Sequence, residues 1–120
     1  MLEALLALAF VAVVGGSALA WCAFATEALL LAGLWLVGAG FALGIPTGFW
    51  YHVELRRVLL ESGALPARWW LHPTRLHGAI PPERWWRVMS WCYAGALGWG
   101  ISFAGCCVFA LGSAKLLLAS

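Results

Sequence analysis

Residues 4–24 read ALLALAFVAVVGGSALAWCAF, and residues 28–51 read ALLLAGLWLVGAGFALGIPTGFWY. Neither run holds a charged side chain, and only Ala25, Thr26 and Glu27 separate them. A helix needs roughly 20 apolar residues to cross the hydrocarbon core of a bilayer. Together the runs are too long for one span and the right length for two. They predict two transmembrane helices joined by a tight hairpin near Glu27. Thr26 suits the N-cap of the second helix and Glu27 its first turn.

Working outward, a third apolar run extends from Val88 to Leu111. Its helix is expected to begin at Pro82, with Glu83 in the first turn. The tail GSAKLLLAS either extends that helix or lies in the interface. At the other end, Glu3 stands where a signal peptide would carry Lys or Arg, so the first run reads as a retained span. In the second run Pro46 lacks the N–H that would bond Ala42, and a kink is expected there. The fold class is therefore all-α. It is an integral membrane protein, one membrane domain over residues 1–120, with three transmembrane helices near 4–24, 28–51 and 88–111. Residues 52–87 form a long, basic, Trp-rich interfacial loop.

Composition agrees with lipid as the solvent. Hydrophobic residues make up 64% of the chain and charged residues 10%, against roughly a quarter charged in soluble domains. A soluble fold this short could not hide so much apolar side chain. The chain holds no Asp, Asn or Gln, and its acids are five Glu. Carboxylate-rich metal chemistry is thereby disfavoured. Cys22, Cys92, Cys106 and Cys107 show no Cys-x-x-Cys spacing and no neighbouring His, so no metal site is expected. They read as small apolar side chains without a disulfide.

The net charge of +2 conceals an uneven distribution. Arg56, Arg57, Arg68, Arg75, Arg84 and Arg87 all fall within 52–87, and Lys115 is the one base elsewhere. By the positive-inside rule that loop faces the cytoplasm, most naturally at a bacterial inner membrane. A single basic patch between apolar runs points to phospholipid headgroups and away from nucleic acid. Beyond Tyr51 the segment HVELRRVLLESG places Leu55, Val58 and Leu59 at helical spacing. Glu54/Arg57 and Arg57/Glu61 sit at ion-pair spacing, and Gly63 is a natural stop. The second helix is expected to leave the membrane and continue to that glycine.

Three features of the sequence bear on function. The near-repeat Pro66-Ala67-Arg68-Trp69-Trp70 and Pro82-Glu83-Arg84-Trp85-Trp86 couples an arginine to paired indoles. Indoles favour the membrane interface and guanidinium groups grip phosphate, so Arg68, Trp69, Trp70, Arg84, Trp85 and Trp86 are expected at lipid headgroups. His52, His72 and His77 share that region. They read as interfacial histidines, with a pigment, quinone or haem contact at the inner face as the alternative; no bound cofactor is expected. Small residues recur every fourth position at Gly40, Gly44 and Gly48, and at Ala94, Gly98, Ser102 and Cys106. Ala12, Gly16 and Ala20 repeat the pattern in the first helix. Helices in lipid associate through such close-packing faces.

These features favour a non-catalytic accessory or structural subunit of a larger membrane complex. Its partners would be other membrane subunits, in a homo- or hetero-oligomer, and phospholipids. In that reading the third helix, reached through the long loop, need not close on the hairpin, and either the glycine ridge of the second helix or the Ala94–Cys106 ridge of the third would meet a neighbour. One alternative is a small oligomeric transporter or channel, though ionisable groups are missing at membrane depth. A second is a membrane protein or enzyme contacting lipid, quinone or pigment.

Overall fold

A computed structural model describes all residues, Met1–Ser120. It is helical throughout, with no strand. Helix α1 covers Leu2–Ala23 and α2 covers Thr26–Glu61; α3 covers Trp85–Ala119. Three short 3-10 segments, Trp69–Leu71, Pro73–Ala79 and Pro82–Arg84, lie between α2 and α3. All three α-helices are long and apolar enough to cross a membrane.

The break between α1 and α2 comes earlier than Glu27. Phe24 turns extended (φ −113°, ψ 143°). Thr26 does not cap α2 but is its first helical residue, because the Leu29 N–H already bonds the Ala25 carbonyl at 3.1 Å. Helix α2 then runs 36 residues, through Pro46, about 54 Å at 1.5 Å per residue. That is far more than a hydrocarbon core of about 30 Å requires. Beside the missing Pro46 N–H, the Thr47 hydroxyl donates to the Leu43 carbonyl at 2.5 Å.

The far end of α2 closes with both hydrogen bonds of a Schellman motif. The Ala64 N–H bonds Leu59 O at 3.0 Å and the Gly63 N–H bonds Leu60 O at 3.3 Å. Gly63 holds φ +72°, where a Cβ would be strained. Helix α3 begins three residues after Pro82, the intervening turn being 3-10, and continues through the tail to Ala119.

The chain divides into two compact units, Met1–Gly38 with Ser102–Ser120, and Ala39–Ile101. In the first, the α2 and α3 segments run antiparallel with their backbones in contact. A Cβ at Gly105 would lie 2.6 Å from the Val37 nitrogen and 2.8 Å from Gly33 O; one at Gly33 would lie 2.5 Å from the Phe109 nitrogen. The Ser102 hydroxyl donates to Val37 O at 3.3 Å. Helix α1 belongs to this unit and buries no residue. Its C-terminal end is tied down by Lys115, whose ammonium donates to Trp21 O and Phe24 O, both at 2.7 Å. A cation suits those unpaired last-turn carbonyls.

In the second unit α2 and α3 also pack antiparallel. A Cβ on Gly98 would collide with the Gly44 backbone and approach Gly40 O to 2.8 Å; one on Gly95 would touch the Gly48 backbone at 3.4 Å. The third helix therefore closes on the second within the chain, contrary to the expectation of a ridge left for a neighbour. On α3 the buried small residues are Gly95, Gly98, Ser102, Gly105 and Gly112, at gaps of three, four, three and seven. Gly98, Gly105 and Gly112 recur every seven residues, an interval over which a helix face drifts only about 20°. A strict four-residue ridge drifts ~40° per step. Ala94 is accordingly only half-buried and Cys106 is exposed.

Large buried side chains concentrate elsewhere in this unit. Tyr51, Leu55, Val58, Leu59, Ile80, Val88 and Met89 form one cluster, with Leu65, Leu76, Trp85 and Cys92 against it. Residues 52–87, expected as an interfacial loop, thus form a head whose buried cluster is completed by Tyr51, Val88 and Met89 of the adjoining apolar runs. The reason is the spacing of Leu55, Val58 and Leu59, which gives the continuation of α2 an apolar face that Ile80 and Val88 cover.

Candidate functional site

This head carries the residues singled out by charge and aromaticity. Glu54, 4% exposed, lies at its centre. Its carboxylate accepts from Arg57 Nη1 at 3.0 Å and from Arg87 Nε at 3.0 Å, one guanidinium from α2 and one from α3. A carboxylate this buried needs such partners, whereas the half-exposed arginines keep contact with water. The Arg57/Glu61 pair does not form, for Glu61 bonds Arg84 instead. Arg56, Arg68 and Arg75 remain exposed and outside every ion pair.

The two P-x-R-W-W segments share a pattern but not an environment. In the first, Arg68 is free, and Trp69 is half-buried with its ring 6.1 Å from His52; Trp70 is exposed. In the second, Arg84 is ion-paired and Trp85 packs on the core with its ring 6.2 Å from His77. Trp86 is exposed, its ring 6.4 Å from Tyr93. Each segment therefore turns one indole inward and one outward.

The histidines separate into two kinds. His52 and His77 both adjoin Tyr51, with ring centroids at 5.0 and 5.9 Å. The Tyr51 hydroxyl and His77 Nε2 share a hydrogen bond of 2.5 Å. His52 Nδ1 donates to Gly48 O at 2.8 Å, which fixes the orientation of its ring. His72 is exposed and lies at the junction of two 3-10 turns. His77, Gly78, Ile80, Pro82, Trp85 and Trp86 line an open recess of about 320 Å³. No group of three or more His, Cys, Asp or Glu side chains comes together. The four cysteines are free thiols, and Cys92 packs against the core of the head.

The packing residues lie in the apolar segments of α2 and α3. Gly40, Gly44, Gly98 and Ser102 are buried, and Gly48 and Ala94 half-buried. Sequence reasoning missed the Glu54–Arg87 pair and the Tyr51–His77 bond, which join residues 33 and 26 positions apart. It also passed over the seven-residue interval Gly98, Gly105, Gly112, the one signal that marked the contact row of α3. No protein-family model, curated protein or solved structure matches this chain.

Proposed function

We propose that this chain is a three-span integral membrane protein that serves as a non-catalytic accessory subunit of a larger membrane assembly, with α1 as its docking helix. The carrying observation is an asymmetry among the helices. Gly33 and Gly44 of α2 pack against α3, and Gly98 and Gly105 of α3 against α2, whereas α1 buries no residue and a Cβ at Gly15 or Gly16 would meet nothing within 4 Å. Ala12, Gly16 and Ala20 give α1 a small-residue face of the kind through which helices associate in lipid. The head, residues 52–87, faces the cytoplasm of a bacterial inner membrane, held at the headgroups by Trp70, Trp86 and the free arginines.

Native mass measurement in mild detergent and in nanodiscs tests the assembly. The wild type is expected above the 12.9 kDa of a single chain, with Ala12→Leu and Gly16→Leu reverting toward it and Val13→Leu unchanged. A lone monomer under every condition, or Gly16→Leu assembling fully, overturns the reading. Orientation is tested by labelling Ser62→Cys and Ser120→Cys in a background free of native cysteines, and Ser62→Cys reacting from outside the cell refutes it. The recess at His77, Trp85 and Trp86 supports a second reading, contact with a flat quinone or pigment headgroup, for which visible absorbance of the purified protein is the check.

A further inference from the structure

We propose that Arg56 and Arg68, beside the His52–Trp69 contact, form a binding site for the phosphate of an anionic phospholipid. This deepens the membrane reading above and rests on the head lying at a headgroup layer. Of six arginines in the head, Arg57 and Arg87 share the single carboxylate of Glu54, and Arg84 pairs with Glu61. The paired guanidiniums are each directed to a carboxylate, whereas the unpaired ones keep all five N–H groups and their full charge for phosphate.

Two of these, Arg56 and Arg68, lie close in sequence to the two partners of one ring contact. Arg56 lies one helical turn beyond His52, on the same face of α2. The ring of Trp69 stands 6.1 Å from that of His52, and Arg68 directly precedes Trp69 at the start of its 3-10 turn. The bond from His52 Nδ1 to Gly48 O holds the imidazole in place, and with it the platform on which Trp69 rests. Both arginines are exposed.

Depth agrees with this occupant. Tyr51 ends the apolar run, and Arg56 follows it by five residues, about 7.5 Å along the helix. The polar layer on each side of the hydrocarbon core is roughly 5–8 Å thick. Arg56 therefore emerges among the phosphates, and its flexible stem lets the guanidinium settle at their level.

The test is a titration of the full-length protein in mild detergent with phosphatidylglycerol, counting bound lipid by native mass spectrometry. Arg56→Gln and Arg68→Gln should each weaken binding about fivefold, the worth of one cation near an anionic membrane surface. Arg84→Gln, at a guanidinium held by Glu61 and away from the His52–Trp69 contact, should weaken binding less than either. Phosphatidylcholine should bind equally to all four proteins, and millimolar inorganic phosphate should not displace the lipid. Thermal unfolding of each variant confirms that the head is intact. The site is overturned if the wild type shows no preference for phosphatidylglycerol, if Arg84→Gln loses as much as Arg56→Gln, or if free phosphate competes. Orientation and assembly do not enter this measurement, so its failure is separable from failure of the labelling and native-mass experiments.

Discussion

Gly44 and Gly98 face each other, yet alanine should be tolerated at one and not at the other. A Cβ on Gly98 points into the Gly44 backbone and comes within 2.8 Å of Gly40 O. Those obstacles are main-chain atoms of a helix and cannot rotate away. Ordinary contact would require the helices to part by about one ångström over this stretch, and overpacking of that kind typically costs about 1–3 kcal/mol. A Cβ on Gly44 meets the Gly98 and Trp99 backbone at 3.4 Å, at the edge of ordinary contact. It asks for little movement, and the lower entropy of alanine in the unfolded chain offsets part of it. Gly100, two residues from Gly98, has nothing within 4 Å of an added Cβ, so Gly100→Ala should be neutral or stabilising by up to about 1 kcal/mol. Reversible unfolding in mixed micelles titrated with a denaturing detergent would give the three differences on one scale. The expected order of stability is Gly100→Ala, then Gly44→Ala, then Gly98→Ala. Equal losses at Gly44 and Gly98, or a neutral Gly98→Ala, would refute the claim that this contact is made by backbone on backbone.

Leu55→Ala removes a side chain with no exposure from the centre of the head and should cost about 2–5 kcal/mol by the same unfolding measurement. Glu54→Gln should destabilise by about 1–2 kcal/mol, and combined Arg57→Gln with Arg87→Gln by more, because that pair of changes strands a buried carboxylate; the triple variant should regain part of the loss. Gly63→Ala should cost about 1–2 kcal/mol, since its φ of +72° lies where L side chains are strained. Lys115→Met should leave the head intact and loosen the α1 end by about 0.3–1 kcal/mol, seen as faster amide exchange near Trp21–Phe24 without change around Leu55.

The number and approximate extent of the helices were legible in the sequence because run length is a local property. A helix long enough to cross lipid needs nothing but consecutive apolar residues, and 4–24, 28–51 and 88–111 each announce one. The stop at Gly63 was legible for the same reason, since the left-handed conformation that ends a helix is a preference of one residue. The P-x-R-W-W repeat was legible as a motif, but its two halves were not distinguishable. Whether an arginine is free or neutralised depends on which carboxylate it meets, and Glu61 lies 23 positions from Arg84. Likewise Glu54 displayed its near partner, Arg57, and not its distant one, Arg87.

Tertiary structure alone decided which glycines carry the packing. Ridges of small residues every fourth position were visible on all three helices; the α2 ridge Gly40, Gly44, Gly48 does meet α3, but on α3 the contact row follows a seven-residue interval, over which a helix face drifts only about 20°. The packing selected Gly98, Gly105 and Gly112 on α3 and left α1 with no buried residue. Tertiary structure also turned residues 52–87 from a loop into a head. Leu55, Val58 and Leu59 have helical spacing in the sequence, but spacing cannot say what will cover an apolar face. Ile80, Val88 and Met89 do so only because the chain, after the turn at Gly63 and the 3-10 segments, brings α3 back against α2.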